Sequence, residues 1–266
     1  MLFKNILCLF VVLSFQRALA SDLEFTNIDK SDLDKVVEDL SATFMHTTVS
    51  PASALGKIFG IEVGLFAGAN KTPGIQSLAK EVDASNDISA VPMASAFAAV
   101  SVPFGFTAEV SIVPSFDTDY FKLKSQGVAL KWTLTEGLLV LPINLAVKVA
   151  HTSSTFSFDQ TVGGSTSKVE YEGTSTQFLL MGGVDLLVVE PYLGIGVVNA
   201  DGELKTTAGT NIFDSAFTAS TSASSKPNSS IAMAGVNVSL LLIKLGLEYT
   251  HAFNSDRYLA KFSLKF

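Results

Sequence analysis

From Lys57 to the last residue, apolar side chains alternate along the chain with small or polar ones. A period of two is typical of β-strands whose two faces meet different surroundings. The clearest apolar face consists of Phe104, Phe106, Ala108, Val110 and Ile112. Its opposite face consists of Gly105, Thr107, Glu109 and Ser111. The pattern predicts about ten such strands, within a range of eight to twelve.

The second face of these strands is made of Gly, Ala, Ser, Thr and single charges. A soluble β-sandwich, the main alternative fold, normally carries larger charged residues on its outer face. A membrane barrel turns its apolar residues toward lipid and its small or polar residues inward. Only a closed sheet satisfies its backbone in lipid. We therefore predict an all-β fold: a transmembrane antiparallel up-and-down β-barrel.

Composition supports this choice of class. The chain has 266 residues, of which 48% are hydrophobic and only 16% charged, and its mean hydropathy is +0.40. No apolar run reaches the roughly 18 residues of a membrane helix. An apolar protein of this kind is expected to cross a membrane with strands.

The predicted connections alternate between long and short, as in outer-membrane barrels whose outer loops are long and whose periplasmic turns are short. The long ones are 68–92, 151–168 and 199–229, the last interpreted as a mobile loop. Two further outward connections are shorter, 113–123 of moderate length and 254–256 a short turn. The tight ones are at Pro103, Glu136-Gly137, Glu190-Pro191 and Leu241-Leu242. This asymmetry predicts that both termini lie in the periplasm.

Three regions are predicted along the chain: a signal peptide at 1–20, a helical segment at 21–50 and the barrel at 51–266. A basic residue, an apolar run and an Ala-x-Ala site near Ala20 indicate the cleaved signal peptide. A helix from Ser31, its expected N-cap, to Phe44 is amphipathic. We expect it to pack on the barrel or to form a periplasmic lid or plug. A second short helix is predicted at 73–82.

The last strand alternates strictly and ends on an aromatic residue. It resembles the carboxyl-terminal signature of Gram-negative outer-membrane β-barrels, carried here by Tyr258, Phe262, Leu264 and Phe266. The resemblance implies an outer-membrane location, with lipid and the outer-membrane assembly machinery as partners. The helical segment before the barrel is also similar to that of long-chain fatty-acid transporters, which are larger barrels. Aromatic girdles are predicted at Phe59, Phe104, Trp132, Tyr249, Tyr258 and Phe266.

The inward face carries charges of both signs, which need partners or water inside a barrel. They are Glu62, Glu109, Lys131, Lys148, Asp185, Lys244, Glu248, Lys261 and Lys265. Small barrels are almost filled by their own side chains. These charges therefore predict a salt-bridged, closed lumen, a narrow polar pore, or a pocket for a small ligand.

No pattern in the sequence indicates a metal site or a cofactor. The net charge of −7 argues against nucleic-acid binding. His151 and Ser153, with Glu170 or Glu172, resemble the exterior His-x-Ser pair of outer-membrane lipid A deacylases, which would imply a lipid-modifying hydrolase. We expect instead a non-enzymatic barrel, a small porin-like or hydrophobic-solute-handling channel with small solutes or lipophiles as partners. A structural envelope barrel is the alternative.

Overall fold

The computed structural model describes residues 28–56, 58–82, 84, 88–117, 121–136, 143–162, 165–207 and 222–266. The predicted signal peptide at 1–20 lies outside this part of the chain. The helices are α1 (Lys30–Phe44) and α2 (Pro73–Val82). The strands are β1 (Gly60–Lys71), β2 (Ala90–Val102), β3 (Phe106–Asp117), β4 (Phe121–Thr133), β5 (Ile143–Val162), β6 (Ser165–Val184), β7 (Val189–Thr207), β8 (Ser222–Ser225), β9 (Asn228–Leu240), β10 (Ile243–Ala252) and β11 (Ser255–Lys265).

Ten of these strands form a closed antiparallel barrel, in which each strand pairs with its neighbour in the chain. The short strand β8 pairs with the outer part of β7, directly beyond the β7–β9 ladder. The ring closes where β11 pairs with β1. There, Ile61 and Phe266 exchange two backbone hydrogen bonds of 2.9 and 2.8 Å. The predicted fold class and strand number are confirmed.

The two faces of the wall have the predicted orientation. Apolar side chains such as Leu193, Ile195 and Leu247 point outward and are at least 60% exposed. The small and polar positions between them are mostly buried, because they face the lumen. The predicted girdle residues all lie on the outer surface, and Trp132 stacks on Phe106 with ring centroids 5.4 Å apart. This is the inverted polarity of a membrane barrel.

Two segments predicted as loops contain strand. β5 and β6 each have 20 residues and β7 has 19, whereas a strand needs about 9–11 to cross a bilayer. The three strands therefore extend into the segments predicted as the loops 151–168 and 199–229. Threonine favours strands as a β-branched residue, so a polar, Thr-rich segment is not by itself a loop. Residues 208–221 lie outside the described part.

The tight connections agree with the prediction at Leu241-Leu242 and at Pro103, where a turn of 3₁₀ helix spans Pro103–Gly105. The prediction at Glu190-Pro191 was wrong, because both residues lie within β7 and the turn before them occupies 185–188. That turn carries few of the usual turn residues, which explains the error. The predicted turn at Glu136-Gly137 falls in part on residues 137–142, which lie outside the described residues.

The helix α1 begins one residue earlier than predicted. Its N-cap is Asp29 rather than Ser31, because the Asp29 side chain accepts a hydrogen bond from the Asp32 N–H and the Asp32 side chain accepts one from the Asp29 N–H. This is a capping box. The helix α2 has the predicted bounds.

α1 packs against α2 and the outer parts of β6, β7 and β8, at the end of the barrel where the long strands project. The loop lengths assign this end to the outside, whereas the helix was expected at the periplasmic end.

Candidate functional site in the barrel lumen

After α1, the chain enters the lumen as an irregular segment, here called the lumen segment (residues 45–53). Its residues from Met45 to Ala52 are buried, and Thr48, Val49 and Ala52 have no exposed surface. Hydrogen bonds connect it to inward-facing groups of β3, β4, β6, β7, β9, β10 and β11. A segment held from seven strands around the ring lies along the interior of the barrel.

Glu109 on β3 is the main anchor of the lumen segment. Its carboxylate accepts hydrogen bonds from the hydroxyls of Thr48 at 2.7 Å and Ser50 at 2.9 Å. Lys148 on β5 pairs with the same carboxylate at 2.6 Å, and His46 Nε2 lies 3.3 Å from it. All of these side chains are buried. Protein donors therefore replace the water that would otherwise solvate the Glu109 carboxylate.

Lys131 on β4 holds the backbone of the lumen segment. Its ammonium donates to the carbonyls of Pro51 at 2.6 Å and Ser53 at 2.8 Å. The neighbouring Thr133 hydroxyl donates to the Ala52 carbonyl at 2.8 Å. Because this stretch makes no strand ladder, these wall groups supply partners that its carbonyls otherwise lack.

The opposite wall supplies a second carboxylate. Glu248 on β10 accepts hydrogen bonds from the Thr47 hydroxyl and the Tyr192 hydroxyl, both at 2.8 Å. Arg257 on β11 donates to the carbonyls of Met45 at 2.7 Å and Ala42 at 3.4 Å. These carbonyls lie at the carboxyl end of α1, where a cation is favourable.

Val49, in the middle of the lumen segment, has a φ of 50°. A β-branched residue in this left-handed region is strained by about 1–3 kcal/mol. Its N–H donates to the Thr47 hydroxyl at 3.0 Å, and its carbonyl accepts from Asn237 Nδ2 at 3.1 Å. These two contacts with the surrounding structure maintain the strained conformation.

A second charge cluster joins wall residues to one another. Glu62 on β1 accepts from Lys261 at 2.9 Å and from the Ser263 hydroxyl at 2.6 Å, both on β11. Lys244 on β10 lies 3.7 Å from the same carboxylate. The cluster thus links three consecutive strands across the seam where the barrel closes.

At the outer end, Asp39 of α1 connects three elements. It accepts hydrogen bonds from the Ile75 N–H of α2 at 2.8 Å and from the Ser255 hydroxyl of β11 at 2.9 Å. Burial raises the pKa of the Asp39 carboxyl to about 6, and these hydrogen bonds only partly oppose the rise. Around it, Leu33, Val36 and Val37 pack against the wall.

Seven of the nine predicted inward charges lie buried in the lumen: Glu62, Glu109, Lys131, Lys148, Lys244, Glu248 and Lys261. Asp185 does not, since it lies exposed in the turn after β6, where it accepts from the Leu187 N–H. Lys265 is only half-buried at the rim. Of the predicted assembly signal, Tyr258, Phe262, Leu264 and Phe266 all point outward.

The sequence did not reveal that the lumen segment supplies bonding partners for the wall. His46, Thr47, Thr48 and Ser50 have no period that would assign them to a face. The inward charges themselves were a signal, because charges inside a small barrel need partners. His46, Thr47, Thr48 and Ser50 form a polar stretch outside the predicted strands that could supply them.

The hydrolase arrangement is not assembled in the described residues. His151 lies on the outer surface and bonds the Thr176 hydroxyl through Nδ1 at 3.0 Å. Glu172 lies opposite Thr155, which is four residues beyond His151 on β5, and it pairs with Lys205. Glu170 pairs with Lys168. Neither of these carboxylates orients the imidazole, as the triad chemistry requires.

The described residues contain no group of three or more His, Cys, Asp or Glu placed to hold a metal ion. None of their helices is long and apolar enough to span a membrane.

A family model described as "Family of unknown function (DUF6588)" matches residues 6–256. The chain belongs to the DUF6588 family. For this family member, no curated protein gives a sequence match.

Solved structures similar to this DUF6588 chain are distant. Ail, the attachment invasion locus protein of Yersinia pestis, is 11% identical with a TM-score of 0.32, covering 77% of this chain and 99% of that one. The translocator domain of the autotransporter NalP from Neisseria meningitidis is 9% identical with a TM-score of 0.43, covering 87% and 93%. A loop-deletion mutant of OmpT, an outer membrane protein of Vibrio cholerae, is 7% identical with a TM-score of 0.21, covering 78% and 98%.

Proposed function

We propose that this protein is an outer-membrane β-barrel whose lumen is closed by its own N-terminal segment. On this proposal the barrel is a structural element of a Gram-negative envelope, reached through a cleaved signal peptide. The apolar outer wall supports a membrane location. So do the turn tips Phe104, Leu187 and Leu241, which are at least 81% exposed and continue the apolar belt at one end.

The observation that carries the proposal is the course of the lumen segment. Its polar groups bond inward-facing residues on seven of the ten strands of the ring, and those residues include both of the carboxylates Glu109 and Glu248. Hydrated ions need a continuous water path through the lumen. The lumen segment occupies the space that such a path would need. The inward charges then act as anchors for the segment rather than as the selectivity residues of a pore.

This proposal differs from the porin-like function favoured by the sequence. A porin function would require the lumen segment to leave, with loss of its bonds to Glu109, Lys131 and Arg257. We expect no catalytic activity, since His151 has a threonine partner rather than a carboxylate. The sheet formed by the projecting parts of β5, β6 and β7 is what the protein would present outside the membrane.

Single-channel recording in a planar bilayer tests the proposal. The refolded full-length protein, with heat-modifiable migration on a gel as proof of folding, should show no steady conductance. The triple variant Thr47→Ala, Thr48→Ala and Ser50→Ala removes three hydroxyls that hold the segment, and brief openings are expected. Steady conductance of the unmodified protein would overturn the proposal.

A matched control removes three hydroxyls from the outer surface instead. Ser153, Thr174 and Ser224 are exposed and point away from the lumen. Their replacement by alanine should leave the protein silent. Openings of equal frequency in both triple variants would mean that they arise from general loosening of the barrel, and the lumen segment would lose its assigned role.

A further inference from the structure

The two ends of the barrel differ in what they carry. At one end, here called the short-turn end, the chain turns at 103–105, 185–188 and 241–242, and Phe266 closes the ring with Ile61. At the other end, here called the projecting end, β5, β6 and β7 extend beyond the rest of the wall. Outer-membrane barrels place short turns in the periplasm and long connections outside. In that orientation the projecting end lies outside.

The helix α1 is fixed at the projecting end. Asp39 accepts a hydrogen bond from the hydroxyl of Ser255, which is the first residue of β11. Asn70, one residue before the end of β1, donates to the Thr43 hydroxyl at 3.0 Å. β1 ends and β11 begins at the end of the barrel opposite the short turns. The chain therefore leaves α1 at the projecting end.

After α1, each contact of the lumen segment lies closer to the short-turn end than the one before. Arg257, the third residue of β11, donates to the Met45 carbonyl. Four residues further along the chain, the Val49 carbonyl accepts from Asn237, which is three residues from the end of β9. Since β9 ends in the turn at 241–242, the segment has already passed the middle of the barrel at this point.

The last contacts lie at the short-turn end itself. Thr133, the final residue of β4, donates to the Ala52 carbonyl. The Leu55 N–H donates to the hydroxyl of Ser101, one residue before the end of β2, at 2.9 Å. The contacts of residues 45–55 thus follow one direction from one end of the barrel to the other. The chain crosses the whole lumen and does not return to the end where it entered.

The length of this stretch agrees with a complete crossing. Residues 45–55 can span up to about 36 Å when the chain is extended. The apolar band of an outer-membrane barrel is about 25 Å tall. The stretch is not fully extended, because Val49 has left-handed backbone angles. The difference between the two lengths accommodates this irregularity.

α1 prevents the crossing segment from slipping back toward the periplasm. Leu33, Val36 and Val37 have no exposed surface. They pack in one cluster with Tyr171 of β6 and Leu204 of β7. A helix with its side chains is about 10–12 Å wide, and the lumen below it already holds the lumen segment. The packed helix therefore acts as a stop at the projecting end.

We propose that the chain passes through its own barrel from the outer side to the periplasmic side, so that α1 and the chain that precedes it are displayed on the outer surface. The carboxyl end of β11 then lies on the opposite side of the membrane, whereas the loop pattern predicts both termini in the periplasm. The barrel serves as an anchor that presents its own amino-terminal segment. This proposal rests on the outer-membrane location proposed above.

Labelling of single cysteines in intact cells tests this topology. Cys8 is the only native cysteine, and Cys8→Ala in every variant leaves the introduced cysteine alone. Lys30→Cys and Ile58→Cys mark the two ends of the crossing, and both positions are exposed. In intact Gram-negative cells, a membrane-impermeant maleimide should label the Lys30→Cys protein. It should label the Ile58→Cys protein only after the outer membrane has been made permeable.

Two control cysteines report on the barrel itself. Asp159→Cys lies on the projecting part of β5 and Asp185→Cys lies in a short turn, both at exposed positions. Labelling of Asp159→Cys with protection of Lys30→Cys in intact cells would overturn this proposal and leave the outer-membrane location standing. Protection of all four cysteines would contradict the location itself. Labelling of Asp185→Cys in intact cells would mean the reverse orientation and would also overturn the proposal.

Insertions before α1 give a second test. A flexible peptide epitope placed after the predicted cleavage site near Ala20 should bind its antibody on intact cells. A small domain folded around disulfides, inserted at the same place, should prevent assembly, because a folded domain cannot follow an extended chain through a narrow lumen. Heat-modifiable migration on a gel measures assembly. Normal assembly with the folded domain left in the periplasm would overturn the proposal.

Discussion

Replacing Glu109 by alanine tests whether the lumen segment is held by buried charge. The substitution removes the partner of Lys148 and leaves that ammonium buried without a counter-ion. Removing one member of a buried ion pair costs about 3–5 kcal/mol. The Thr48 and Ser50 hydroxyls each lose an acceptor, at about 1 kcal/mol or more apiece. We therefore expect Glu109→Ala to lower the free energy of unfolding by about 5 kcal/mol.

Urea titration of the protein in phospholipid vesicles measures this loss. Trp132 is the single tryptophan and lies on the outer surface, so its fluorescence follows the departure of the wall from lipid. Glu172→Ala is the matched control, because Glu172 pairs with Lys205 at 2.8 Å but both side chains are at least 37% exposed. An exposed pair contributes about 0–1 kcal/mol.

A double variant separates the charge from the hydrogen bonds. Glu109→Gln with Lys148→Met removes both charges but keeps an amide oxygen that can accept from Thr48 and Ser50. It should recover much of the stability lost in Glu109→Ala. The reasoning would be refuted if Glu109→Ala cost no more than Glu172→Ala, or if the double variant were as unstable as the single one.

Three further predictions concern other parts of the molecule. The raised pKa of Asp39, about 6 against an ordinary 3.8, means that the folded state keeps its proton longer as pH rises. The contribution of Asp39 to stability should therefore fall by about 2 kcal/mol between pH 4 and pH 6, out of about 3 kcal/mol over the whole titration, and Asp39→Asn should remove this part of the pH dependence in urea titrations. Asp29→Ala should lower stability by about 1 kcal/mol through loss of the capping box, whereas Ser31→Ala should have little effect on the same titration. Deletion of Phe266 removes the last hydrogen bonds of the seam to Ile61, so the protein should accumulate in the periplasm on cell fractionation. Normal assembly of this variant would count against the terminal signature.

The regular parts of the fold were predictable because their signals are local. The alternation of β11 is visible within its own residues, and the apolar stripe of α1 identified a helix to within one residue of its observed start. The long extensions of β5 and β6 were not predictable in the same way. Their Ser- and Thr-rich sequences fit either a loop or a polar strand, and pairing with neighbours decides between the two.

The lumen could be predicted only in part. The sequence indicated which charges face inward, since parity along a strand is local, but it did not indicate what they contact. Thr47 and Glu248 are 201 positions apart in the chain and still share a hydrogen bond. A contact of that kind depends on which strands lie opposite each other in the closed ring.

The sequence by itself therefore determined the barrel class, the approximate strand number and the polarity of the wall. Each follows from a two-residue period together with the need to satisfy backbone groups in lipid. The tertiary structure alone decided that residues 45–53 lie inside the barrel and bond its wall. This arrangement arises because packing brings an irregular segment against distant strands, and its contacts leave no period in the chain.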